Sequence, residues 1–231
     1  MKAFLIAKRE LGDFLGDRSA VLGIGFLAIA PLLFVNLGGG SRIPAAILLI
    51  LTVQSAMFPT FMTANVAAST FIQDKENQTL LPLLAAPVSD SQIIAGKLLA
   101  IFLPSAVGSW LALAIFYLAA TLKFGTALVG SVITLQIIYA IVVLSALLII
   151  TLGSWTMVVT SRVRTARTAQ QISGLMIAAL YGVFAVSAQF LFDAFGGWVF
   201  LALPLAILAA DIGALEIARR LWGREEVIAR I

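Results

Sequence analysis

Between Lys97 and Lys123 the chain carries no charged residue, and between Lys123 and Arg162 it again carries none. A folded domain in water covers itself with charge, roughly a quarter of its residues. Here Asp, Glu, Lys and Arg make up 11% of the sequence, 61% is hydrophobic, and the mean hydropathy is +1.08. Such a chain cannot build a solvated surface and must use lipid as its solvent. In lipid the backbone N–H and C=O groups find no water, so only helices and closed barrels cross. Barrel strands alternate apolar and polar residues over about 10 positions. These runs are continuous and longer, which selects helices. The expected fold class is an all-α integral membrane protein.

With about 20 residues needed per crossing, the runs give six transmembrane helices at 19–37, 44–72, 90–122, 126–160, 171–192 and 198–217. They form a single transmembrane domain over 1–231. Gly38-Gly39-Gly40 ends the first span. The fourth is long enough to tilt or protrude into water. Pro31, Pro59, Pro104 and Pro204 fall inside spans, where proline kinks a helix. Ahead of the spans, residues 1–18 read as an amphipathic helix. Phe4, Ala7, Leu11, Phe14 and Leu15 recur at helical spacing, while Lys8, Arg9, Asp13 and Asp17 fall elsewhere. A helix of that kind lies in the membrane interface. The apolar stretch Ala3-Phe4-Leu5-Ile6-Ala7 is shorter than the about 7–15 residues of a signal-peptide core, so no cleaved segment is expected.

Orientation follows from the basic residues. With the N-terminus in the cytoplasm, Lys2, Lys8, Arg9, Arg18, Lys75, Lys97, Arg162, Arg164, Arg167, Arg219, Arg220, Arg224 and Arg230 fall on the inner side. Only Arg42 and Lys123 fall outside. That is the positive-inside pattern, and it places both termini, including a tail over 218–231, in the cytoplasm. It also accounts for the net charge of +4 without nucleic acid, because the positives sit at the ends of apolar runs. The outer segments 38–43, 123–125 and 193–197 are nearly bare. Residues 187–198 read either as a re-entrant dip or as a plain loop. No internal repeat is visible, which speaks against an inverted-repeat carrier.

The residue inventory excludes much chemistry. There is no Cys and no His, so thiolate, imidazole and the commonest metal ligands are missing. Gly96-Lys97 invites a phosphate-loop reading, but that pattern needs Gly where Ser91 stands and Ser or Thr where Leu98 stands. Lys97 is better read as snorkelling from the cytoplasmic start of the third span. Ser109 and Ser154 each follow a glycine but have no histidine to activate them, and Asp193 and Asp211 fall near opposite faces. No catalytic residue and no metal site are expected. Gln54, Asn65, Gln136 and Gln189 lie within spans, either as bonds between helices or as lining of a substrate pathway. Asp211 is expected near the inner interface, within reach of the basic tail. Arg162, Arg164 and Arg167 read as topology-setting or lipid-binding.

The polar residues concentrate in one short block, 73–89, between two long apolar runs. Thr79 can cap a short helix over 80–86, with Pro82 tolerated in its first turn and Pro87 ending it. Ser89-Asp90-Ser91-Gln92 has the Ser-x-x-Gln form of a capping box at the start of the third span. The segment reads Asp74-Lys75-Glu76, Gln78-Thr79-Leu80-Leu81, Leu83-Leu84, Pro87-Val88-Ser89 and Ile93-Ile94-Ala95-Gly96-Lys97. It resembles the cytoplasmic loop of the type-2 ABC exporter permeases. Gln78, Leu81 and Asp90 depart from that family's glycine, glutamate and basic residue.

The resemblance implies a cytoplasmic coupling helix at 73–89 that docks into an ATPase subunit. Leu80, Leu83 and Leu84 would be its apolar contacts, Lys75 and Glu76 its charged rim, and Asp74, Thr79, Pro87 and Ser89 its frame. It further implies two permease copies, as a homodimer, and two ABC ATPase subunits. The chain itself would hold no cofactor, with ATP and Mg²⁺ bound by the partner. The setting would be a bacterial or archaeal cell (inner) membrane, and the cargo hydrophobic or amphiphilic, moved outward by alternating access. A haem-exporter-like permease of cytochrome maturation shares this layout. The reading from a different class is a small channel, carrier or membrane scaffold that works without an ATPase.

Overall fold

The computed structural model describes residues 2–16, 18–37, 43–60, 63, 67, 89–163, 167–168, 171–172, 174–175, 178–179, 182 and 199–221. Every regular element among them is an α-helix: α1 (Lys2–Gly16), α2 (Arg18–Ile29), α3 (Pro31–Leu37), α4 (Ala45–Thr60), α5 (Asp90–Phe124), α6 (Thr126–Val132), α7 (Leu135–Arg162) and α8 (Val199–Leu221). Two of these are long and apolar enough to cross a membrane. One is Ser91–Phe124 and the other is Leu135–Thr160. At 1.5 Å per residue, α5 is about 52 Å long and α7 about 42 Å, both beyond the ~30 Å hydrocarbon core. Leu99, Leu103, Val107, Leu111, Leu118 and Leu122 leave an apolar stripe exposed along α5, as an all-α membrane protein requires of a lipid-facing helix.

Two expected spans are interrupted. The run 19–37 divides into α2 and α3 at Ala30, because Pro31 cannot donate to the preceding turn and instead takes the first position of a new helix. The run 126–160 divides into α6 and α7 at Ile133 and Thr134. Ile133, with φ −97° and ψ 78°, caps α6 through its N–H to Val129 O, and Ile138 N–H then bonds Thr134 O. No Gly or Pro marks this break. It is held by the burial of Val129 and Ile133 in one core. Gly125, at φ 86° and ψ 148°, joins α5 to α6. By contrast, α4, α5 and α8 continue through Pro59, Pro104 and Pro204.

The chain forms two compact units, and α5 and α7 contribute residues to both. In the unit made of Gly12–Met62 and Leu103–Ile149, α5 runs antiparallel to α4. Ser109 Oγ donates to Ala56 O at 2.6 Å, while Phe116, two turns on, shares a cluster with the earlier Leu48. It also runs antiparallel to α7: Trp110 Nε1 donates to Ser145 Oγ at 3.3 Å, and Leu113 packs in a cluster with Ile141. Buried Ala56, Ser109 and Ala112 let these backbones approach. Lys123 Nζ donates to Val35 O at 2.8 Å, supplying a cation and a donor to the last turn of α3.

The other unit comprises Met1–Leu11, Thr63–Phe102 and Ile150–Ile231. Its core joins Ile93, Ile94 and Ile101 of α5 with Met157 of α7 and Ala67. Ile6 of α1 and Leu215 of α8 pack against that core.

Candidate functional site

The start of α5 is fixed by its own first turn. Ser89 occupies the N-cap, and its backbone N–H donates to Gln92 Oε1 at 3.3 Å, one arm of the expected capping box. Gln92 N–H and Ile93 N–H both reach Ser89 O, and Ser89 Oγ lies 3.1 Å from Ser91 Oγ. Two turns later α1 crosses the helix at Gly96. A Cβ there would stand 2.8 Å from both Ala3 O and Ile6 Cβ, so glycine is what allows this approach. The next residue closes the junction: Lys97 Nζ donates to Glu10 Oε1 at 3.3 Å, with the lysine side chain 0% and the glutamate 12% exposed.

This corrects the snorkelling reading of Lys97. The ammonium does not reach out to water. It turns to a carboxylate 87 residues away in sequence, since a buried charge is tolerated when paired. The junction also defines the face of α1 that meets protein. Ala3, Ile6, Ala7 and Glu10 turn inward, one per turn or nearly so, whereas Phe4, Leu5 and Leu15 are exposed.

A second buried polar contact ties α7 to α8. Thr151 Oγ1 donates to Asp211 Oδ1 at 2.6 Å. Asp211 is 2% exposed, and its Oδ2 has no hydrogen-bond partner among the described residues. Its described partner is a threonine hydroxyl; the side chains of the basic tail expected within its reach lie outside those described.

Of the site residues expected from sequence, Ser89 is described, exposed and acting as a cap. Asp74, Lys75, Glu76, Thr79, Leu80, Leu83, Leu84 and Pro87 lie outside the described residues, as do Asn65, Gln189 and the segment 187–198. Gln54 is half-buried on α4, and Gln136 is exposed in the first turn of α7.

No protein-family model matches the chain, and no curated protein matches it. The geometry therefore speaks for itself. In the junction of Ser89, Gly96, Lys97 and Glu10 a capped helix start is clasped by a second helix. Sequence pointed to Gly96 and Lys97 only through their likeness to a motif. Nothing local signalled Glu10, because its partner is distant in the chain.

Proposed function

We propose that the chain is the permease subunit of an ATP-driven ABC exporter, carrying a hydrophobic or amphiphilic cargo out of the cytoplasm or inner leaflet. The observation that carries this reading is the segment 74–97. Its charged start, paired leucines, Pro87-Val88-Ser89 turn and Gly96-Lys97 resemble the loop of type-2 ABC exporter permeases. The described end of that segment supports it, with a capped helix start at Ser89 and a close helix approach at Gly96. The alternating directions of α4, α5 and α7 agree with the second, third and fourth of six successive spans.

In this reading two permease copies form the pathway, and two ATPase chains bind the coupling helices at 73–89 from the cytoplasm. ATP and Mg²⁺ bind the ATPase subunits, whose closure pushes the coupling helices and rocks the permeases from inward-facing to outward-facing. The chain crosses a bacterial or archaeal cell membrane six times, with both termini in the cytoplasm.

The test is to purify the tagged chain from its native host in mild detergent and identify what accompanies it. An ABC ATPase in near-equal amount, lost in a Glu76→Lys, Leu83→Asp double variant, supports both the permease and its coupling loop. A preparation free of any ATPase removes the reading and leaves a channel, carrier or scaffold.

A further inference from the structure

We propose that Glu10 and Lys97 make the N-terminal part of α1 and the first turns of α5 a single moving body. This inference rests on the permease reading for what drives the motion. Between Ser89 and Lys97 there is only helix, started by a cap and continuous through Gly96. A displacement delivered at Ser89 therefore reaches Lys97 with little loss. There it meets α1 in two ways. Gly96 sits against Ala3 O and Ile6 with no room for a methyl group. Ile6 packs on the core that holds Ile93 and Ile94. The ion pair adds a directional tie, because a buried lysine that moved away from Glu10 would give up this carboxylate in a poorly solvated setting. The face of α1 opposite the joint, with Phe4, Leu5, Lys8 and Arg9 exposed, is then carried along with α5. Glu10 and Lys97 are positioning residues in this scheme.

The chain has no native cysteine, so Phe4→Cys with Leu99→Cys gives a spin-label pair on two exposed positions, one on each helix. The double-cysteine chain is co-expressed with excess cysteine-free chain, purified with its ATPase and then spin-labelled. Distances are recorded without nucleotide and with ATP and vanadate. The same pair is then read in Glu10→Lys, in Lys97→Glu and in the double reversal, alongside ATP hydrolysis by each complex. One narrow distance, unchanged by nucleotide, is expected for the native ion pair. Each single reversal should broaden it and lower ATP turnover about tenfold, and the double reversal should restore both to within about twofold, as coupled contact residues do.

A native distance that shifts with nucleotide overturns the proposal, and so does a double reversal no better than the singles. The first of these needs no charge-altered variant to fold. If no ATPase accompanies the chain, the permease reading fails, and the nucleotide-free distances still decide whether the joint holds.

Discussion

Thr151 and Asp211 lie 60 residues apart and meet through a hydrogen bond of 2.6 Å, in which the threonine hydroxyl donates and a carboxylate oxygen accepts. Both residues are buried. Thr151→Val keeps the shape of the side chain and removes the donor. Asp211 then loses its described partner, and the expected destabilisation is about 1–3 kcal/mol. Thr151→Ser, which keeps the hydroxyl, should lose less. Thermal unfolding of the three proteins in one detergent checks the order. A valine variant as stable as the native chain would show that this bond carries no weight.

Gly96→Ala should loosen the joint between α1 and α5. The added methyl group meets backbone Ala3 O and the branched Ile6 at 2.8 Å, and neither can rotate clear. Overpacking of this kind costs about 1–3 kcal/mol. Gly213→Ala in α8 is the control, since nothing lies within 4 Å of a Cβ there. In a helix interior it should be neutral or stabilising by up to about 1 kcal/mol. Limited trypsin digestion at Lys8 and Arg9, exposed on α1, should quicken for the first variant and not for the second.

The ion pair predicts an asymmetry. Glu10→Gln leaves a fully buried ammonium without this carboxylate, whereas Lys97→Met leaves a carboxylate that still touches solvent. The first should therefore cost more, towards the about 3–5 kcal/mol seen when one member of a buried pair is removed. Combining the two substitutions should recover part of the loss, and a double-mutant cycle from denaturation midpoints measures how much. Equal costs, with no coupling, would contradict the geometry.

Gly125 holds φ 86° and ψ 148° between α5 and α6. That corner of backbone space is open essentially to glycine alone, and other residues there pay about 1–3 kcal/mol. Gly125→Ala should destabilise by that order although nothing lies within 4 Å of its new methyl group. Gly130→Ala, in equally open space within α6, should not. Parallel melting curves separate strain from crowding.

Much of the helical framework was legible because its signals are local. A helix is expected over 1–18 and α1 runs over Lys2–Gly16, with Arg18 already in α2; α5 runs over Asp90–Phe124, where an apolar helix is expected over 90–122. Ser89 and Gln92 meet as their spacing suggested. Pro31 marks the interruption after α2. The break at Ile133 and Thr134 was not legible, since these β-branched residues carry no turn signal and their backbone is set by a core assembled from distant residues. The same reason hides the pairs of Lys97 with Glu10 and of Asp211 with Thr151. A charged residue at the edge of an apolar run announces that it needs a partner or water, but not which. The expected coupling residues ahead of Ser89 rest on resemblance alone.

The hydroxyls of α4 have a consequence for motion. Thr52, Ser55 and Thr60 direct their protons to the carbonyls of Leu48, Thr52 and Ala56, all within their own helix. A polar group satisfied at home keeps its partner wherever the neighbouring helix goes. Serine and threonine in such a helix therefore act less as rivets than as lubricated fittings. Sliding α5 along α4 would have to remake the bond from Ser109 to Ala56, while these three hydroxyls ride through undisturbed.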